Sequence, residues 1–142
     1  MVQNITHYTD LLVWQKAVDL AEIIFRITES FPKSQTYILV SQMQRAATSV
    51  SSNIAEGRNR HSIKEFIYHL NVARGSIAEL ETQTVIAERV KLLNAEQKNA
   101  VFVITDEISK MIYGLIRSLR KKTNGFEEET MEWLKPVPET CS

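Results

Sequence analysis

The sequence predicts an all-α protein: an up-down-up-down antiparallel four-helix bundle that assembles into an oligomer. Three observations carry this. Apolar residues recur periodically in four long segments, at alternating four- and three-residue spacing in the second and third, the period of one buried helix face. Gly and Pro together number only seven among 142 residues, too few for a fold built from many turns. The links between segments are short, about four, five, and two or three residues, which forces neighbouring helices to run antiparallel.

The first segment runs from about Asp10 to Ser30. Leu12, Ala17, Ala21, Ile24 and Phe31 mark one stripe, and Trp14, Val18 and Phe25 a second. Two stripes exceed what a single buried face requires, so Trp14, Val18 and Phe25 are candidates for an interface between subunits. Phe31-Pro32 closes the segment, because a residue before proline is pushed out of the α region. The second segment, about Gln35 to Glu56, carries a heptad seam of Leu39, Met43, Ala46, Val50, Asn53 and Gly57, with Gly57 read as the left-handed residue that stops the helix. The third opens on Ser62-Ile63-Lys64-Glu65, a capping box, and continues through Phe66, Leu70, Ala73, Ile77, Leu80, Thr84 and Ala87 to an end near Leu92. The fourth opens on a second box, Asn94-Ala95-Glu96-Gln97, and carries Val101, Ile104, Ile108, Met111, Leu115 and Leu119. Gly125 is its expected stop. Residues 1–123 are thus the bundle domain, and residues 124–142 an acidic tail that Met131, Trp133 and Leu134 would seat.

The 44% apolar and 24% charged composition is that of an ordinary globular domain. Net charge is zero but unevenly spread: residues 1–123 hold 16 Lys and Arg against 12 Asp and Glu, and residues 124–142 hold Lys135 against five glutamates. The single cysteine, Cys141, excludes an internal disulfide and fits a reducing, cytoplasmic location. The opening residues Met1 to Tyr8 lack the basic and apolar regions of a secretion signal. No apolar run approaches the roughly 20 residues of a membrane span.

Little in the sequence builds a reactive site. His7, His61 and His69 lack the paired Glu-x-x-His of a bundle metal centre, so no metal or other cofactor is expected. Ser49, Ser51 and Ser52 lie on a helix, away from any strand-to-helix elbow. Glu56 and Glu79 read as partners of nearby arginines rather than as an acid–base pair. Gly57-Arg58-Asn59-Arg60 precedes a helix start, where anions can bind, but one glycine is weak against a full phosphate-loop pattern. No enzyme activity and no small-molecule substrate are expected.

Folding the second segment onto the third about residues 58–61 sets Asn53 against Phe66 and Ala46 against Ala73. It also brings Arg45 near Arg74, with Glu56 and Glu79 between the two charges. A seam asparagine fixes register and association state. The same topology gathers Arg58, Arg60, Lys64, Arg117, Arg120, Lys121 and Lys122 at one end, enough positive charge to contact several phosphates. The acidic tail leaves from that end.

Asp10-Leu11-Leu12-Val13-Trp14-Gln15-Lys16-Ala17, Phe31-Pro32, Gln42-x-x-Arg45-Ala46, Ser49-Val50-x-x-Asn53-Ile54-Ala55-Glu56-Gly57 and Ala73-Arg74-Gly75-Ser76-x-x-Glu79-Leu80 resemble the four-helix-bundle family of 23S rRNA intervening-sequence proteins. The resemblance spans about residues 8 to 120. It places the family motif on Gln42, Arg45, Ser49, Asn53, Glu56, Gly57, Arg74, Gly75, Ser76 and Glu79. That family is similar to the accessory variability determinant of diversity-generating retroelements, a strongly basic, barrel-shaped homopentamer that binds nucleic acid and its reverse transcriptase. The resemblance therefore implies a non-enzymatic homopentameric scaffold or adaptor for RNA or a nucleic-acid-processing partner. A sequence pI near 6.8 departs from the basic relative. A protein-interaction module that touches no nucleic acid is the other reading.

Overall fold

The computed structural model describes residues 7–123, which are helical with no strand among them. Four long helices, α1 (Leu12–Thr28), α2 (Ser41–Asn59), α3 (Ile63–Arg89) and α4 (Ala95–Thr123), form the bundle. Each packs on the next and α4 returns to α1, where Lys16 Nζ meets Glu107 Oε2 at 3.0 Å. The expected stop Gly125, Cys141, and the tail residues Met131, Trp133 and Leu134 lie outside the described residues.

The seams of α2 and α3 lie mainly where the spacing puts them. Met43, Ala46, Val50 and Ile54 of α2 face Phe66, Leu70, Ala73, Ile77 and Leu80 of α3, all buried. On α1 the buried stripe is Val13, Ala17, Leu20 and Ile24. Leu12, expected in the core, is 67% exposed. A buried Leu11 and a short 3-10 turn at Tyr8–Asp10 start the chain one residue out of phase with the expected stripe. On α4 the core runs through Ile108, Ile112, Ile116 and Leu119, leaving Met111 and Leu115 half-buried. A straight helix drifts about 20° per heptad against a 3.5 repeat, so over a helix this long a strict four-three alternation leaves the core.

The ends follow known chemistry. Ser62 Oγ accepts the Glu65 N–H at 3.3 Å. Asn94 and Gln97 cap each other reciprocally, each side chain accepting the other's N–H, at 2.8 and 2.9 Å. α3 stops at Arg89, earlier than expected, in a Schellman turn: Leu92 N–H reaches Ala87 O at 2.8 Å and Lys91 N–H reaches Glu88 O at 3.0 Å. Lys91 takes the left-handed conformation there, φ 64°. The α1–α2 link is longer than expected. A 3-10 turn at Lys33–Gln35 leads into a π-helical turn at Thr36–Val40, which buries Leu39 but turns Tyr37 and Ile38 outward.

Gly57 overturns its expected role. α2 continues through it to Asn59. A Cβ at Gly57 would lie 2.8 Å from His69 Cβ and 3.0 Å from Phe66 Cδ1. The residue is glycine because α3 presses on it there.

Candidate nucleic-acid interface

The closest seam, between α2 and α3, is polar along one edge. Asn53 Nδ2 donates to Ser49 O at 2.9 Å and to Ser49 Oγ at 3.1 Å. Ser49 Oγ lies 2.8 Å from Ser76 Oγ, which donates on to Val72 O at 3.2 Å. His69 Nδ1 lies 3.1 Å from Asn53 Oδ1. The amide oxygen can only accept, so with the amide oriented towards Ser49 it is Nδ1 of the imidazole that donates. The hydrogen bonds form one chain from His69 to the Val72 carbonyl.

This chain joins Ser49, Asn53 and Ser76 of the motif residues and leaves the others apart. Asn53 meets His69, three residues further along α3 than the expected Phe66, because the hairpin turns at Arg60–Ser62, beyond Gly57. Arg45 and Arg74 do not face each other. Arg45 lines a groove with Phe25, Tyr37 and Gln44, whereas Arg74 lines the groove between α3 and α4 and donates to Asn71 Oδ1 at 3.1 Å. Glu56 pairs instead with Arg60, and Glu79 accepts from Gln83 at 3.3 Å. Gln42 is exposed. Gly75 is exposed, with nothing within 4 Å of the Cβ it lacks, so it permits no close approach inside the chain. His69 is the seam member that sequence reasoning missed. Its signal is a polar residue flanking the α3 stripe, readable only once the register is known.

The cations converge as the topology requires. The end of α2 supplies Arg58 and Arg60, the start of α3 Lys64, and the last turns of α4 Arg117, Arg120, Lys121 and Lys122. Lys64, Arg60, Arg117, Lys121 and Lys122 are exposed, and Arg58 and Arg120 half-buried. Arg60 Nη2 donates to Glu56 Oε1 at 2.7 Å. That hydrogen bond, and then the charge of His69, hold the Glu56 carboxyl below its usual range. The same contact raises the Arg60 guanidinium. Arg60 is thus partly neutralised. Positive charge in the last turn of α4 also favours its helix dipole.

A third feature lies at the opposite end. Phe25 is 46% exposed, Tyr37 92% and Ile38 59%, a solvent-facing apolar corner beside Arg45. Val18, one heptad from Phe25, is exposed too, while Trp14 is half-buried with its ring edge-on to Tyr8 at 5.4 Å. Among the described residues no three His, Cys, Asp or Glu side chains converge to hold a metal. No described helix is long and apolar enough to cross a membrane.

A model of the 23S rRNA-intervening sequence protein family matches residues 9–114. The chain belongs to that family. A crystal structure from Bacteroides thetaiotaomicron, described as a protein with unknown function from the S23 ribosomal protein family, shares the fold. Its TM-score is 0.69 and its identity 25%, over 74% of this chain and 98% of that one. Comparison with curated proteins gives no match. The region matched in this 23S rRNA-intervening sequence protein takes in the polar seam and the apolar corner. It ends at Gly114, before Arg117, Arg120, Lys121 and Lys122.

Proposed function

We propose that this intervening-sequence protein is a non-enzymatic cytoplasmic scaffold or adaptor. It assembles with itself, as a pentamer, and its cationic end meets RNA or a nucleic-acid-processing partner. The observation that carries the reading is the separation of two surfaces along one rigid bundle: an apolar corner at Phe25, Tyr37 and Ile38, and positive charge where α2, α3 and α4 meet at the other end. The corner suits contact between copies, with Val18 continuing it along α1. Trp14 contributes less than the spacing suggests, because Tyr8 covers part of its ring. The cations suit phosphates, whose neutralisation releases counterions and makes binding salt-dependent.

Light scattering at micromolar concentration tests the assembly, and a monomeric mass there overturns it. Combined replacement of Arg58, Arg60 and Lys121 should abolish RNA binding at low salt, and deletion of residues 124–142 should strengthen it. If instead a protein is retained in a salt-insensitive manner and no RNA co-purifies, the family member is a protein-interaction module.

A further inference from the structure

We infer that the outer face of the α3–α4 pair is a track for single-stranded RNA, with Tyr113 and Tyr68 as stacking platforms. The inference deepens the RNA reading above and rests on it, but it moves the recognition from the end of the bundle to its side. α3 contributes Lys64, Tyr68 and Arg74 to this face, and α4 contributes Lys110, Tyr113 and Arg117, all exposed. Tyr68 and Tyr113 are 57% and 58% exposed, and the Tyr68 ring lies nearly at right angles to that of His69 at 5.3 Å.

The two helices interleave these groups. Thr105 Oγ1 donates to Glu81 Oε2 at 2.8 Å, and Lys98 Nζ meets Glu88 Oε1 at 3.1 Å. These contacts set the antiparallel register, which puts Tyr113 level with Ala73 and Arg117 level with His69. Tyr113 therefore sits beside Arg74, with which it lines a groove of about 580 Å³, and Tyr68 sits at the level of Arg117. On its own helix Tyr113 has Lys110 three residues before it and Arg117 four after, both on its side of the helix. At 1.5 Å of rise per residue the two rings are separated by about 7.5 Å along the axis.

Tyr113 is thus bracketed by cations and Tyr68 has Lys64 one turn before it, the arrangement that holds a single strand: phosphates on the charges and unpaired bases on the rings. A duplex keeps its bases stacked on each other and gives the rings nothing to hold. The charges are available. Arg117 and Lys64 make no ion pair among the described residues. Lys110 pairs only with exposed Asp106, at 3.0 Å, a contact that solvent and salt weaken. Asp106, Glu81 and the exposed Glu79 lie near one level and close the track at its far end. One bare position lines the same groove, and a second follows Tyr113 on the exposed side of α4. Gly75 and Gly114 are exposed in mid-helix, and nothing lies within 4 Å of the Cβ either would carry. Glycine there weakens a helix and serves no packing in the chain, but it admits a ligand close to the backbone.

The test measures binding of the full chain to a labelled oligouridylate and to an RNA duplex of equal length, at low and moderate salt. The single strand should bind more tightly. Tyr113→Ala should weaken it about tenfold, Tyr68→Ala should act in the same direction, and Val103→Ala, an exposed apolar side chain of α4 outside the track, should leave it unchanged. Arg74→Gln should reduce the slope of log affinity against log salt by about 0.7, the loss of one single-strand phosphate contact. Gly75→Ala should weaken binding while the thermal midpoint holds or rises. Equal effects of Tyr113→Ala and Val103→Ala, or a preference for duplex, would overturn the track. So would a Tyr113→Ala variant that changes the mass in light scattering, which makes this face a contact between copies. Binding that responds to Arg58, Arg60 and Lys121 but not to Tyr113 or Arg74 removes the track and leaves the basic-end reading. No binding of either RNA by the full chain removes both.

Discussion

Gly57 and Gly75 sit in the two motif blocks of one helical hairpin and do opposite things. Gly57 lies under α3, where an added Cβ would fall within 3.0 Å of His69 and Phe66 side-chain atoms. Gly75 looks out over the α3–α4 groove with nothing near it. The first is a condition of packing between α2 and α3. The second is a cost to the helix that no internal contact offsets. The same residue type therefore marks a closed seam on one side of α3 and an open face on the other.

The comparison breaks most sharply at Gly57. Gly57→Ala should destabilise the bundle by about 1–3 kcal/mol, the cost of overpacking a close contact, read as a lower urea midpoint at unchanged slope. A neutral result would mean that α3 moves away freely and the seam is not closed there. Asn53→Ala comes next, at about 1 kcal/mol, because the His69 Nδ1–H and the Ser49 hydroxyl each lose a partner. Gly75→Ala should act with the opposite sign, stabilising by about 0.5–1 kcal/mol through helix propensity alone. Changes of opposite sign at the two glycines would be the cleanest separation of the two sides.

The smallest effect is electrostatic. Glu56 has a depressed folded-state pKa, from the Arg60 hydrogen bond and then the His69 charge. A depressed carboxylate contributes stability that is present above its unfolded pKa and is lost as pH falls through the folded value. Glu56→Gln should therefore lower the urea midpoint more at about pH 7 than in acid, the gap closing as pH falls through the folded value. A gap that widens in acid would assign the wrong sign to the contact.

Much of this hairpin is legible in sequence. The alternating stripe from Phe66 to Ala87, both helix starts and the convergence of cations follow from spacing, capping chemistry and short links. What resists reading is whatever depends on which helix lies opposite. A glycine that stops a helix and a glycine that admits a neighbour are identical until the partner is placed, so Gly57 reads wrongly and His69, weighed only as a metal ligand, is missed as a seam partner. Arg45 and Arg74 look like a facing pair only under a hairpin folded at residues 58–61. Tyr68 and Tyr113 are unremarkable 45 positions apart; only the α3–α4 register puts Arg74 beside Tyr113. On α4 the drift of a long straight helix moves the core from Met111 and Leu115 to Ile112 and Ile116.

The π turn at Thr36–Val40 has a consequence for how the chain can change length. A π turn holds one residue more than the α turn it replaces, so it acts as a stored insertion. It stands at the mouth of α2, ahead of Ser49 and Asn53 and behind only a short link from Pro32. Loss of one residue there would wind the turn into ordinary α-helix and rotate only the link, leaving the α2–α3 seam in register. The same deletion after Val50 would swing Asn53 away from His69. Relatives of different length are therefore expected to differ in this corner, where Tyr37 and Ile38 face solvent, while the hydroxyl-and-amide seam keeps its count of residues.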